Sequence, residues 1–308
     1  MKNNNILFFL FMALLLSNAC KRPDITPAFL VLSKEDFTNC IDVSNYNNTH
    51  EQNYNAKELE AIKQQSFTDV LVSLNGKELG YWQLPCTIPL KPDYSAQNYI
   101  RVIPCVRTIN TTTTTLQYHF VTPIEQFFEM EKEMEYRLPN IQTTYVPSTD
   151  FPVLETFMQS TNFKARLASY PTIFKIDYDE YWDKDIGKIT LSDTVVYFDV
   201  VTSYFPLLGK GERQFWEISY KSINGQMTTH LRFENTISGV TIRDMVILPS
   251  TQGAWKKAYI DITNTIMQVS NIASQVSTCL NISGIKEGQG DAEFYFENIK
   301  LITMDAPY

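Results

Sequence analysis

Residues Thr68–Gly76 read TDVLVSLNG. Val70, Val72 and Leu74 alternate with Asp69, Leu71 and Ser73, a period of two that predicts a strand with one face buried. Asn75-Gly76 follows, and both residues tolerate the positive φ that a two-residue hairpin turn demands. Lys77–Leu84 returns as the partner strand. Tyr99–Val106 and Leu116–Val121 read as two further strands, separated by the polar run Thr111–Thr115. Beyond them the pattern repeats. Phe151–Gln159, Thr194–Tyr204, Arg213–Lys221, Thr228–Glu234, Gly239–Leu248, Trp255–Thr263, Val276–Ile282 and Glu293–Thr303 are all strand candidates, and Asn224-Gly225 marks another hairpin. Helical signals are confined to a turn near Lys57–Lys63 and to Thr263–Val276, the latter open to a loop reading. The region 44–60 is an Asn-rich polar loop. Short strands at regular spacing predict an all-β chain of two β-sandwich domains. At 308 residues the length suits two domains. The proline-containing stretch Val146–Pro152 (VPSTDFP) is the natural boundary. An Ig-like sandwich is expected over 31–147 and a two-sheet sandwich or jelly roll over 148–308.

Glu129–Leu138 (EMEKEMEYRL) sets Glu129, Glu131, Glu133 and Glu135 at every second position. In a strand this puts four carboxylates on one face, either as a cation-binding ladder or, as the preferred reading, as a solvated surface.

Several chemistries are disfavoured. The formal net charge of -8, from 26 basic and 34 acidic residues, argues against nucleic acid, which needs clustered Lys and Arg. No GxGxxG, GxxxxGK[ST] or GxSxG occurs. His50, His119 and His230 stand far apart in no ligand spacing. Cys40, Cys86, Cys105 and Cys279 form no CxxC or zinc pattern. Cys86 and Cys105 each follow a proline at the ends of adjacent predicted strands, leaving two readings: a disulfide between them, or four small buried residues.

The first twenty residues carry a different message. Ile6–Leu16 is an unbroken apolar run, too short to cross a bilayer core, which needs about 20 residues. It ends in Leu16-Ser17-Asn18-Ala19-Cys20, with a small residue directly before a thiol. This segment resembles a bacterial lipoprotein signal. The resemblance implies a signal peptide over 1–19, lipid attachment at Cys20, and a tether over 20–30. It departs from the commoner pattern at Ser17, where Leu is usual. Residue 21 is Lys rather than Asp, so the inner-membrane retention signal of many lipoproteins is missing and the outer membrane is implied, with either leaflet open.

Trp255–Ile262 (WKKAYIDI), followed by Phe294–Leu301 (FYFENIKL) as the last strand, resembles the jelly roll of carbohydrate-binding-module-like domains. Together with Val70–Gly76 and Leu84–Pro89 (LPCTIP), the order is similar to a group of Bacteroidota outer-membrane lipoproteins of uncharacterised role. Such jelly rolls often hold a structural Ca²⁺ through an acidic residue in the last strand. The matching position is Glu297, which otherwise reads as a solvent-facing carboxylate, and Glu155 is a second candidate oxygen ligand.

Tyr178–Asp185 (YDEYWDKD) gathers three aromatics, Tyr178, Tyr181 and Trp182, with four acids. That composition suits stacking on sugar C–H faces, or else buried rings with wet polar tips. Trp216, Trp255 and Tyr259 lie in strong strands and are expected in the core. The expectation is a lipid-anchored, non-catalytic envelope protein binding glycan or a protein partner through its jelly roll. The alternatives are a structural or accessory subunit of an outer-membrane secretion, gliding or uptake complex, and a glycosidase acting through two carboxylates about 5–10 Å apart.

Overall fold

A computed structural model describes residues 26–109, 113–158, 160–167, 175–206, 213–235, 239–269 and 276–304. Cys20 and the apolar leader lie outside them. Among the described residues no helix is long and apolar enough to cross a membrane.

The chain is all-β. An eleven-stranded sheet runs in the order Lys175–Asp179, Lys184–Leu191, Ala292–Met304, Arg213–Ile223, Lys256–Asp261, Gln97–Ile109, Asp69–Leu74, Lys77–Gln83. Thr149–Glu155 pairs beside the third of these, and Thr113–Gln117 and Ile124–Glu129 beside the sixth. Its pairings are antiparallel except at the seam, where Tyr259 lies parallel to Thr108. A six-stranded sheet runs Lys164–Ala165, Tyr197–Val201, Val276–Lys286, Gly225–Asn235, Gly239–Leu248, with Phe205–Pro206 against the third. Small sheets join Ala28–Leu32 to Cys86–Leu90 and Glu135–Tyr136, and Ile41–Asp42 to Thr143–Thr144.

Two apolar clusters hold these layers together. One combines Ala28, Leu30 and Ile88 of the small sheet with Val70, Val72 and Ile100 of the large one. The other combines Phe198, Leu231 and Leu280 of the six-stranded sheet with Trp216, Ile218 and Phe294 of the large one. The first cluster also takes Phe215, Tyr259, Ile302 and Met304 from the C-terminal half.

Arg213–Ile223 (RQFWEISYKSI) shows how one strand serves both. Trp216, Ile218 and Tyr220 point into the second cluster. The alternate residues Phe215, Glu217, Ser219 and Lys221 point to the opposite face. Phe215 is sealed in the first cluster and Glu217 is fully buried, whereas Lys221 reaches the surface. The neighbouring last strand keeps step by means of a bulge. Glu217 pairs with Lys300 but Ser219 pairs with Glu297, and Asn298 between them has φ 52°. The extra residue restores Lys300 to the face of Glu297 and Tyr295.

Several readings change. Asn75-Gly76 forms its hairpin, with φ of 52° and 77°. Asn224-Gly225 does not: it is a corner carrying the chain from the large sheet to the six-stranded one. Glycine is required there because a Cβ on Gly225 would lie 2.4 Å from the Phe294 ring and 2.7 Å from the Ile285 carbonyl oxygen. Glu129–Leu138 is not one strand. It turns at Lys132-Glu133, where Glu133 has φ 62°, and the carboxylate ladder is lost. The tether expected to reach residue 30 ends sooner, since Ala28 and Leu30 alternate inward in a buried strand. Cys86 and Cys105 are free thiols, and Cys86–Leu90 belongs to the small sheet while Cys105 belongs to the large one, so of the two readings the structure does not form the bridge.

The helical turn near Lys57–Lys63 is a helix, Ala56–Lys63. Asn55 accepts from the N–H groups of Lys57 and Glu58, and the Glu58 carboxylate accepts from the Asn55 N–H. This reciprocal cap fixes its start. Its end is capped from far away in the chain. Lys300 donates to the carbonyls of Ala61, Ile62 and Gln64 at 3.2–3.3 Å, and Asn298 donates to Ala61 at 2.7 Å. The helix thereby roofs one end of the large sheet's outer face.

Candidate functional site

The segment Tyr178–Asp185 is the tip of a hairpin between Lys175–Asp179 and Lys184–Leu191. Its turn carries Asp183 at φ 51°. Asp179 is buried and organises the tip: one oxygen accepts from the Tyr181 N–H at 3.0 Å and the other from Lys221 at 2.7 Å. Tyr178 donates to Asp183. With the backbone tied down in this way, Tyr181 is 73% exposed and Tyr178 57% exposed.

Four rings run from this tip across the sheet. Tyr181 and Trp182 have centroids 5.2 Å apart, Trp182 and Trp255 5.5 Å, and Trp255 and Tyr295 6.5 Å, all edge-to-face. This is the arrangement that aromatic quadrupoles prefer. Lys188, Tyr295 and Lys221 are successive cross-strand neighbours on the outer face. Lys221 Nζ lies 4.2 Å from the Tyr295 centroid and 4.9 Å from that of Trp255. Lys188 bonds Glu293 at 2.8 Å, and the Tyr295 hydroxyl donates to Glu293 at 2.6 Å. Asp177, Tyr178, Tyr181, Lys221, Trp255 and Tyr295 are among the residues lining a groove of about 700 Å³. The side-chain N–H groups of Trp182 and Trp255 are buried without a hydrogen-bond partner.

Of the three predicted aromatics, Tyr178 and Tyr181 line the groove and Trp182 packs against Tyr181 beside it, while Trp255, expected in the core, joins them at the groove. Trp216 and Tyr259 are core residues as expected. Tyr295, Lys188 and Lys221 were not singled out from the sequence. Their signal was the outward parity of their strands, legible only once the neighbouring strands are known.

The two carboxylates expected to hold Ca²⁺ are otherwise engaged. Glu297 is fully buried and ion-paired with Lys184. Burial pushes its carboxyl up and the Lys184 ammonium opposes that rise. Glu155 accepts from the N–H groups of Phe157 and Asn162 at 2.8 and 2.7 Å, holding the loop after its strand. Burial raises its pKa against those bonds. Among the described residues no three His, Cys, Asp or Glu side chains gather as a metal site. An ammonium beside Glu297 does not suit a divalent cation's oxygen shell, and the structure assembles no Ca²⁺ site from this pair.

Further up the same face lies a buried polar network. Lys257 and Lys300 each reach Glu217 at 3.1 Å, and Tyr118 donates to Glu217. Gln65 donates to Tyr118 at 2.8 Å and to Tyr145 at 3.1 Å, and accepts from Tyr259 at 3.0 Å. Burial alone would raise the Glu217 carboxyl. The two ammoniums and the Tyr118 hydroxyl outweigh it and bring the pKa down to about 2.

No protein-family model matches this sequence, and no curated protein matches it. Among solved structures it is similar to a xylan-binding domain from Paenibacillus barcinonensis, at 10% identity and a TM-score of 0.38, covering 52% of this chain and 98% of that one. It is likewise similar to a carbohydrate-binding module specific for non-crystalline cellulose, at 10% identity and a TM-score of 0.36, covering 48% of this chain and 91% of that one. A third is a Clostridium thermocellum family 11 carbohydrate-binding module in complex with a mixed-linked tetrasaccharide, at 12% identity and a TM-score of 0.34, covering 51% and 96%.

Proposed function

We propose that this chain is a non-catalytic, glycan-binding β protein, lipid-anchored through Cys20 at the outer membrane. One observation carries the glycan reading: exposed Tyr178 and Tyr181 stand with Trp255 and Tyr295 along a groove that also presents Asp177, Lys188 and Lys221, with Trp182 packed between Tyr181 and Trp255 behind it. Rings supply flat apolar faces for sugar C–H groups, and the flanking charges supply fixed donors and acceptors for hydroxyls. The groove carboxylate Asp179 is held by Lys221 and the Tyr181 N–H, and Glu293 beside the groove by Lys188 and the Tyr295 hydroxyl. Neither of these two is free to exchange a proton as general acid–base work requires.

The test is a glycan array with purified wild-type protein and Trp255→Ala. Wild-type signal lost in the variant supports the reading; equal retention removes this groove as the site. Release of reducing sugar by the purified protein would overturn the non-catalytic part. Anchoring is tested separately, because Cys20→Ala should move the protein from the membrane fraction to the soluble one.

A second reading, an accessory subunit docking a partner protein, has its own support. Gly239–Leu248 is the edge of the six-stranded sheet among the described residues and exposes Ile242 and Ile247. Open edges with apolar side chains invite pairing with another chain.

A further inference from the structure

A second depression of about 440 Å³ meets the groove at Tyr181 and Trp255, which line both. Its far side is N-terminal: Thr38, Asn39 and Glu60 face Trp182, Trp255 and Lys256 across it. We infer that the two depressions form one continuous cleft for an internal stretch of a linear, uncharged polysaccharide, with the N-terminal half supplying one end of the site. The inference rests on the glycan reading and adds the ligand's shape and length.

Three features support it. Each volume alone is within the roughly 300–1,000 Å³ range of small-ligand sites, so together they accommodate more than a terminal sugar. The rings sit where the depressions meet and polar groups lie to both sides, which suits stacking in the middle of a chain and hydroxyl contacts along its flanks. The charges nearly balance: Lys34, Lys188, Lys221, Lys256 and Lys257 against Glu60, Asp177, Asp179 and Glu180. A site for a polyanion would carry a strong excess of one sign.

The cleft is also held in shape before any ligand arrives. Lys257, in its lining, donates to the Gln64 carbonyl at 2.5 Å, and the Ser66 N–H donates to the Tyr259 hydroxyl at 2.8 Å. These bonds tie the N-terminal wall to the sheet beneath it, so binding has little ordering cost there.

The experiment measures affinity for oligosaccharides of two, four and six units cut from the polysaccharide giving the strongest array signal. It uses the wild type, Trp255→Ala, and the double variant Lys34→Ala with Glu60→Ala, in which Lys34 and Glu60 are both exposed. The six-unit chain should bind at least about tenfold more tightly than the two-unit one, a difference of about 1.4 kcal/mol. The double variant should erase most of that advantage while keeping the wild-type melting temperature. Equal affinity for all lengths, or a length advantage untouched by the double variant, would overturn the continuous cleft while leaving the glycan reading standing. An array signal confined to charged glycans would overturn the uncharged ligand. No array signal at all would overturn both readings, and loss of every length in Trp255→Ala supports the shared aromatic wall.

Discussion

The outer face of the large sheet is built from the same residue types at both ends and put to opposite uses. At one end Glu217, Lys257, Lys300 and Tyr259 lie beneath the helix Ala56–Lys63 and its trailing residues, and their hydrogen bonds close on one another. At the other, Asp179, Lys221, Lys188 and Tyr295 pair in the same manner but border open solvent. The chemistry of the side chains does not differ; the presence of a second layer does. Under a roof, every donor must find an acceptor within the protein, so the network becomes a fastener. Without one, the same lysines, acids and rings retain faces that a ligand can use.

The comparison is broken most severely at Glu217. Glu217→Gln leaves two buried ammoniums without their counter-charge and should cost about 3–5 kcal/mol in chemical denaturation. Acid should act through the same group. Its folded-state pKa of about 2 lies below its ordinary 4.5, so its contribution is complete above pH 4.5 and is lost as pH falls toward 2. Thermal melts across that window should show a steeper loss in the wild type than in Glu217→Gln.

A smaller effect is expected from the roof itself. Asn55→Ala removes the helix's N-terminal cap and should cost about 1 kcal/mol. Hydrogen exchange should loosen at Ala56–Lys63 while the Tyr178–Asp185 tip stays unchanged. The smallest stability effect belongs to the open end. Tyr181→Ala should stay within about 0.5 kcal/mol of wild type and yet weaken retention on the array. Comparable destabilisation at Tyr181 and Glu217 would erase the distinction between the two ends.

Much of the fold was legible because alternation is a local signal. Gly239–Leu248 has the expected bounds, and Asn75-Gly76 makes the expected turn, since a two-residue hairpin depends on its own backbone angles. What alternation cannot reveal is which face another layer covers. Trp255 was expected inside on the strength of its strand, but the strand begins at Lys256 and the ring remains at the groove. Asn224-Gly225 has hairpin chemistry, yet the space beside Gly225 belongs to Phe294 from a remote strand. The candidate site was half visible: Tyr178, Tyr181 and Trp182 are neighbours in the chain, whereas Lys221, Trp255 and Tyr295 join them only through strand order. Glu297 and Glu155 occupy plausible positions for oxygen ligands, but their partners, Lys184 and the Phe157 and Asn162 amides, redirect them.

The sharing of the final strand has a consequence for how the molecule comes into being. Ile302 and Met304 complete the first apolar cluster, and Lys300 closes the far end of a helix that begins at Ala56. During synthesis the segment holding these residues emerges after the other residues of both clusters. The nascent chain before it must therefore wait with an unfinished interior, and the segment Ala292–Met304 completes both cores together.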